Sequence, residues 1–238
     1  MDTIHVFSQM GKNHARTNNE NQDALCHGET SGLCVITLAD GVSDCAEAKR
    51  GAVAASETIT KLFLKEGPFF LKCDKEQVTE LVISHILWEL EKLAKDSSRS
   101  INDFSSTVVS VLVDKKRKRM LCFNLGDGII LASEKGKCKV LSQPADSSIG
   151  CLVTTTRKAA ELVSLRLCDT EEIDSVVICS DGAWREMYMK NRLKPKVAQL
   201  LVNNEYDALK DYLINQNCFD DHSFISLDIR RKKRRYCA

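Results

Sequence analysis

Proline, long apolar runs and net charge are all scarce in this sequence. Only three of its 238 residues are proline, and it contains no Ser/Gly-rich tract and no internal repeat. No apolar run approaches the roughly 18 residues that a membrane-spanning helix requires, and the first residues lack the basic and then apolar pattern of a secretory signal. These absences predict a single domain, residues 1–229, followed by a short basic tail, residues 230–238.

The cysteine pattern argues against two common kinds of site. Eleven cysteines is a high count, but the number is odd, the cysteines are scattered, and no two of them form a C-x-x-C pair. Zinc sites and disulfide frameworks both show a more regular spacing. We therefore expect reduced, mostly buried thiols and a cytoplasmic protein, because a reducing compartment preserves such thiols.

The charge balance gives little guidance to partners. A formal net charge of +1 provides no overall attraction to nucleic acid or to a membrane, so neither is expected as a partner. The exception is the tail, which carries RRKKRR at residues 230–235. A contact with nucleic acid or an acidic membrane is one interpretation of this run, and a solvated tail is the other.

Hydrophobic periodicity predicts a chain of many strands with two long helices near its start. Short connections between neighbouring strands favour antiparallel sheets, and grouped helices favour outer layers. We therefore predict an α+β fold, a four-layer αββα sandwich of two antiparallel sheets flanked by helices. The predicted strands are 4–10, 24–27, 33–39, 107–113, 120–125, 129–132, 139–141, 162–167, 176–179 and 224–229; the predicted helices are 46–64, 75–95, 184–190, 196–202 and 206–215; residues 142–158 are a candidate loop or flap.

Acidic residues recur at the ends of the predicted strands. A single Asp-Gly pair is a common tight turn, since glycine adopts positive φ and aspartate bonds its own backbone. Several such pairs, far apart in sequence, can instead converge at one end of a sandwich. The pairs are Asp40-Gly41, Asp127-Gly128 and Asp181-Gly182, and two further acidic points, Asp23 and Asp220-Asp221, precede strands.

Carboxylates gathered in this way repel one another unless a cation joins them. Hard divalent cations such as Mg²⁺ or Mn²⁺ take oxygen ligands. Two such ions about 3.5–4 Å apart lower the pKa of a bridging water and orient it toward a phosphorus atom. The pattern therefore predicts metal-dependent hydrolysis of phosphate esters.

At these residues the sequence resembles the type 2C metal-dependent protein serine/threonine phosphatases, most closely their compact bacterial branch. The matching blocks occur in the family's order and span nearly the whole chain. They are NQDA (21–24), LADGVSDCAEAKRGAVAAS (38–56), SSTVVSVLVD (105–114), FNLGDGIILA (123–132), VICSDGAW (177–184) and DDHSFISLDI (220–229). The resemblance implies a phosphorylated protein substrate and a role opposite a serine/threonine kinase.

The resemblance also implies residue roles. It makes Asp40 and Asp23 the catalytic pair, with Asp40 bridging two metals and Asp23 holding a metal-bound water. The remaining roles concern the metals and the substrate phosphate: the Gly41 carbonyl binds the second metal, Asp181 and Asp220 bind the first, Asp127 is the candidate ligand of a third and weaker metal, and His14 or Arg16 is the candidate phosphate-binding cation.

Two departures from the family pattern keep alternatives open. Gln22 stands where the family often has an acid, and Arg185 stands where it often has another. Both favour an alternative in which the chain keeps the fold and binds a phosphoprotein with little or no turnover. Residues 179–185 also fit C-x5-R, the signature of thiolate phosphatases, although Asp181 inside that loop would repel phosphate and raise the pKa of the Cys179 thiol.

Overall fold

The computed structural model describes residues 4–17, 19–145, 154–155 and 158–230 of the chain. Within these residues the strands are β1 (Ile4–Gln9), β2 (Asp23–Glu29), β3 (Leu33–Asp40), β4 (Val108–Asp114), β5 (Arg119–Leu125), β6 (Ile129–Glu134), β7 (Lys137–Ser142), β8 (Ser164–Asp169), β9 (Ile173–Cys179), β10 (Tyr188–Met189), β11 (Arg192–Leu193) and β12 (His222–Asp228). The helices are α1 (Lys12–Thr17), α2 (Ala48–Phe70), α3 (Lys75–Ser97), α4 (Ala159–Leu162), α5 (Asp181–Met187), α6 (Pro195–Asn203) and α7 (Tyr206–Ile214), with a 3₁₀ turn at Ile101–Phe104.

The boundaries of the two long helices follow from local chemistry. Asp74 precedes α3, and its carboxylate accepts a hydrogen bond from the backbone N–H of Gln77 at 2.9 Å. The Gln77 side chain accepts one in return from the Asp74 N–H, which completes a capping box. Helix α2 continues six residues beyond its predicted end because Phe70 packs edge to face on Phe63, with ring centroids 5.2 Å apart.

Two five-stranded sheets form the centre of the molecule. The first has the strand order β1-β12-β9-β6-β7, the second has the order β2-β3-β4-β5-β8, and every pairing is antiparallel. Strands β5 and β6 are consecutive in sequence but lie in different sheets. The short connection at 126–128 therefore carries the chain from one sheet to the other at one pole of the sandwich.

Three layers of apolar side chains hold these elements together. One lies between the second sheet and helices α2 and α3, one between the two sheets, and one between the first sheet and helices α5, α6 and α7. Burial of apolar surface on both faces of each sheet is the main stabilising contribution to such a fold. The predicted four-layer αββα sandwich is confirmed.

Several local predictions are wrong. The segment 184–190 is not one helix: α5 begins earlier, at Asp181, and the chain then forms the two-stranded hairpin β10–β11. The strand predicted at 162–167 begins two residues later, because Leu162 ends α4 and β8 takes its register from β5. Helix α1 was not predicted, since six residues give too short a periodic pattern.

Some expectations concern residues that lie outside the described ones. Most of the candidate flap, residues 146–153 and 156–157, falls there, as do residues 231–238 of the basic tail. The domain boundary at residue 229 therefore stays a prediction. Among the described helices, none is long and apolar enough to cross a membrane.

Candidate metal centre

Strand pairing in the second sheet brings two of the predicted site residues side by side. Asp23 is the first residue of β2 and Asp40 is the last residue of β3. Because these strands are antiparallel, the start of one lies beside the end of the other, and the two aspartates are direct partners in the register. Residues 17 positions apart thus occupy neighbouring places at one pole.

Three more aspartates lie at the same pole, at the ends of strands of the first sheet. Cys179 at the end of β9 pairs with Ile129 at the start of β6 and with Phe224 near the start of β12. The residues just beyond these strand ends are therefore neighbours. They include Asp181, Asp127 and Asp220.

A hydrogen-bonded serine joins the two sheets at this pole. The Ser180 hydroxyl donates to Asp23 Oδ2 at 3.0 Å and accepts from the backbone N–H of Ser223 at 2.9 Å. The backbone N–H of Ser180 in turn donates to the Ser223 carbonyl at 3.0 Å. Ser180 therefore fixes the carboxylate of Asp23, in the second sheet, to strands β9 and β12 of the first.

The electrostatic environment confirms that the five aspartates are close enough to interact. Burial raises the pKa of Asp40 well above its ordinary value, and the charges of Asp23, Asp181, Asp220 and Asp127 each raise it further. Burial likewise raises the pKa of Asp23 to about 7 and that of Asp181 to about 6. Without a cation, the folded protein therefore disfavours the ionised form of these three groups.

Two buried carboxylate oxygens at this pole have no hydrogen-bond partner among the described residues. They are Asp23 Oδ1 and Asp181 Oδ1, and the nearby buried oxygen Gln22 Oε1 lacks a partner as well. A buried acceptor without a partner costs free energy unless a ligand satisfies it. The unpartnered atoms are oxygens, which are the ligands that Mg²⁺ and Mn²⁺ prefer, so the donor set fits such ions.

The carboxylates are nevertheless not arranged as a finished metal site. Among the described residues, no group of three or more His, Cys, Asp or Glu side chains has a geometry that could hold a metal ion. One reason is visible at Asp181, whose Oδ2 lies 2.6 Å from Arg185 Nη1. Arg185 Nη2 also lies 3.8 Å from Asp127 Oδ2. The ligand roles predicted for Asp40, Gly41, Asp181 and Asp220 therefore stay predictions.

Glycine at position 41 has a packing requirement of its own. A Cβ atom there would lie 2.8 Å from the backbone carbonyl oxygen of Ala48, at the start of α2. The close approach of helix α2 therefore accounts for this glycine, whether or not its carbonyl also binds a metal.

The two candidate phosphate-binding cations have different environments. His14 is only 3% exposed, and its Nδ1 lies 2.8 Å from Asp221 Oδ2. Arg16, two residues later in α1, is exposed. An engaged, buried imidazole is a poor ligand for a substrate phosphate, so the geometry favours Arg16 over His14 for that role.

Asp221, the sequence neighbour of the candidate ligand Asp220, organises the base of the site. Its Oδ1 accepts a hydrogen bond from the Gly11 N–H at 2.7 Å, and its Oδ2 accepts from the Gln22 N–H at 2.6 Å in addition to meeting His14. It thereby ties the entry to α1 and the entry to β2 to the start of β12. The resemblance selected Asp220 rather than Asp221 as the ligand, and it gave no role to Asp221.

Lys49 is a second residue that sequence reasoning missed. Its Nζ donates to the Asp23 backbone carbonyl at 2.6 Å, across the edge of β2. Lys49 also lines a cavity of about 490 Å³ together with Gln22 and Asp44. No local signal identifies it, because a lysine in the first turn of an amphipathic helix is normally a solvated side chain.

The structure rejects a thiolate mechanism at Cys179. This residue is fully buried in the apolar layer between the first sheet and α5–α7, and burial raises the pKa of its thiol far above the ordinary value. A nucleophilic cysteine requires a depressed pKa and access to substrate. The C-x5-R pattern at 179–185 is therefore a coincidence of spacing.

The sequence comparison agrees with this geometry. The family model described as Protein phosphatase 2C matches residues 10–216 of the chain. The chain belongs to the protein phosphatase 2C family. None of the curated proteins compared with it by sequence is a match.

Solved structures of similar fold are bacterial phosphatases of low sequence identity. A bacterial serine phosphatase superposes with a TM-score of 0.74 at 16% identity, covering 98% of this chain and 100% of that one. The serine/threonine phosphatase Stp1 from Staphylococcus aureus gives 0.72 at 16%, covering 97% and 96%. The catalytic domain of the serine threonine protein phosphatase PstP, in complex with two manganese ions, gives 0.66 at 12%, covering 95% and 97%. This member of the protein phosphatase 2C family therefore shares its fold with these phosphatases over nearly its whole length.

Proposed function

We propose that the protein is a metal-dependent phosphoprotein phosphatase that hydrolyses phosphoserine and phosphothreonine. The observation that carries the proposal is the gathering of five aspartates from both sheets at one pole, with two buried oxygens left without partners. Such an arrangement is unfavourable for the fold alone, because like charges and unsatisfied acceptors both destabilise it. Membership of the protein phosphatase 2C family supports the same activity.

The residues at this pole have two kinds of proposed role: some would bind metal and others would position the water or the substrate. Asp40, the Gly41 carbonyl, Asp181 and Asp220 would hold two Mg²⁺ or Mn²⁺ ions, as the two manganese ions of the PstP domain suggest by analogy. When bound, these ions supply Lewis-acid charge that makes water nucleophilic and screens the phosphate. Asp127 remains a candidate ligand of a third, weaker ion.

Asp23 has a different role in this proposal. Ser180 holds its Oδ2, so that Oδ1 is the oxygen left to accept a hydrogen bond from water. In metal-free protein, burial raises the pKa of Asp23 to about 7. Neighbouring divalent ions would lower that pKa and keep the carboxylate ionised, so that it can accept the hydrogen bond. Arg16, exposed at the end of α1, is the proposed contact for the substrate phosphate.

A second candidate function is a phosphoprotein-binding module with little or no turnover. The observation that favours it is the ion pair between Arg185 and Asp181, which occupies one of the proposed ligands. The buried Gln22 side chain, in place of an acid, points the same way. Both functions share a phosphorylated protein as partner, and the first would oppose a serine/threonine kinase.

A cytoplasmic location is also part of the proposal. It rests on the eleven scattered cysteines of the sequence, which suit a reducing compartment.

The deciding experiment is a phosphatase assay on metal-free full-length protein with phosphoserine, phosphothreonine and phosphotyrosine peptides. We expect activity on the first two only when Mn²⁺ or Mg²⁺ is added, loss of activity with a chelator, and no effect of thiol alkylation. Binding of phosphopeptides without turnover at any metal concentration would reject the enzyme and leave the binding module.

A further inference from the structure

Five aspartates form what we call the acidic pole: Asp23, Asp40, Asp127, Asp181 and Asp220. Arg185 is the one cation that the described structure places directly on their carboxylates. It lies one helical turn after Asp181 in α5, with Nη1 2.6 Å from Asp181 Oδ2. The other guanidinium nitrogen points toward Asp127, with Nη2 3.8 Å from Asp127 Oδ2. The planar fork of an arginine can contact two carboxylates at once, which a lysine ammonium does less well.

The neighbouring Trp184 lies close to both Asp127 and the Arg185 guanidinium. Trp184 Nε1 donates to the Asp127 backbone carbonyl at 2.7 Å, which fixes the start of β6 against α5. The Arg185 guanidinium lies 5.9 Å from the centroid of the Trp184 ring, within the range of a cation–π contact. Asp181 and Asp127 thus reach the same guanidinium from two different elements.

We propose that Arg185 is a built-in counter-ion that competes with divalent cations for Asp181 and Asp127. A metal ion held by Asp181 would lie close to the guanidinium, and the repulsion between the two positive charges would oppose its binding unless the guanidinium moved away. The same guanidinium disfavours an additional ion at Asp127. The inference rests on the proposed function, since it concerns the affinity and number of the ions that the phosphatase would use.

The arginine is well suited to being displaced. Its side chain is 53% exposed, whereas that of Asp181 is 9% exposed. The guanidinium can therefore swing into solvent and regain hydration, whereas the buried carboxylate of Asp181 stays in place and would be left uncompensated unless an ion replaced the arginine. Arg185 therefore lowers metal affinity without preventing metal binding, and it neutralises part of the acidic pole while metal is absent.

The test is calorimetric titration of Mn²⁺ into metal-free full-length protein, comparing the wild type with Arg185→Gln. We expect the variant to bind Mn²⁺ more tightly by up to about fivefold, the upper end of the range for partly exposed ion pairs. Arg185→Lys keeps the charge but loses the fork, and should fall between the two. Arg185→Glu adds a carboxylate and should increase the number of ions bound.

Arg192→Gln is the matched control, because Arg192 is exposed in the β10–β11 hairpin and the substitution removes the same charge. An affinity gain of equal size in this control would reduce the effect to net charge and overturn the proposal. Unchanged or weaker Mn²⁺ binding by both Arg185→Gln and Arg185→Glu would also overturn it.

The outcome is separable from that of the proposed function. A tighter Mn²⁺ affinity in Arg185→Gln, with no turnover by any variant, would support the counter-ion and reject the phosphatase. Metal-dependent turnover by the wild type, with unchanged Mn²⁺ affinity in Arg185→Gln, would support the phosphatase and reject the counter-ion. Failure of every variant and the wild type to bind Mn²⁺ would reject both.

Discussion

The two poles of the sandwich differ in how many cations lie beside their acidic residues. At the pole opposite the candidate metal centre, where β4 meets β5 and β8 runs alongside, each of several acids faces its own cation. The pairs are Asp114–Arg117 (2.7 Å), Glu29–Lys115 (3.4 Å), Glu171–Lys118 (3.0 Å) and Asp169–Arg119 (3.4 Å). At the acidic pole, the described structure places one guanidinium, that of Arg185, on two of the five aspartates, Asp181 and Asp127.

Asp114 and Asp40 show what this difference does to a carboxyl group. Burial raises the pKa of Asp114, but hydrogen bonds from the backbone and side chain of Arg117 outweigh it and hold the pKa below its ordinary value. At Asp40 the main influences of the described residues act in one direction, because burial and neighbouring negative charge both raise its pKa. A carboxylate satisfied within its own turn belongs to the fold, whereas unsatisfied carboxylates from distant segments indicate a ligand.

The largest expected effect is that of Asp40→Asn. The amide keeps the shape of the side chain but removes the charge that would hold both metals, so turnover should fall by at least about 100-fold. The melting temperature of the chelator-treated protein should stay the same or rise, because a repulsive buried charge is lost. Full activity in this variant, measured on a phosphopeptide with saturating Mn²⁺, would reject Asp40 as the shared ligand.

Gly182→Ala should break the packing beneath the acidic pole. A Cβ atom at this position would lie 2.2 Å from the Asp221 carbonyl oxygen, so the backbone of β12 would have to move. We expect the free energy of unfolding to fall by about 1–3 kcal/mol in chemical denaturation, the usual range for overpacking. Gly32→Ala is the control, since its Cβ would meet only the flexible end of Lys116, at 3.2 Å; an equal loss there would contradict the packing argument.

The pH dependence of stability should separate the two poles in metal-free protein. Because the folded-state pKa values of Asp40, Asp23 (about 7) and Asp181 (about 6) lie above 3.8, the folded protein binds more protons than the unfolded chain between about pH 4 and pH 7. Their contribution to stability therefore falls as pH rises through that window. Asp114 has a lowered pKa and acts in the opposite sense, so its contribution is lost as pH falls below the ordinary value.

This prediction is checked by thermal melts across that pH range with a chelator present. The Asp23→Asn variant should gain stability over the wild type as pH rises, since the amide does not titrate. A constant difference between the two proteins at all pH values would mean that Asp23 has no raised pKa in the folded state.

The smallest expected effect is that of Lys118→Gln at the opposite pole. Lys118 and Glu171 are 63% and 64% exposed, and such surface pairs contribute little because water and salt screen them. We expect a change of about 0.5 kcal/mol or less in the free energy of unfolding, measured by chemical denaturation, and unchanged phosphatase activity. A large loss of activity would show that the ion pairs of this pole influence the acidic pole, which would contradict our interpretation that they serve only the fold.

The sequence alone predicted most of the fold and the positions of the acidic residues. Alternation and helical spacing are local properties, so strands such as β3 and helices such as α3 could be identified without knowing their partners. Asp40-Gly41 and Asp181-Gly182 were recognisable as strand-end pairs for the same reason. The short helix α1 and the hairpin β10–β11 were missed, because elements of two to six residues carry too little periodic pattern.

Only the tertiary structure decided which side chains meet. The sequence could not tell that Asp221 would be buried against His14, or that Arg185 would reach Asp127 in addition to Asp181. The physical reason is that a carboxylate's charge state and partners depend partly on groups far away in sequence, as His14 is 207 residues from Asp221. Only packing of the folded chain brings such groups together. The local sequence pattern thus predicted that the aspartates lie at strand ends, whereas packing of the sandwich determined which groups each of them contacts.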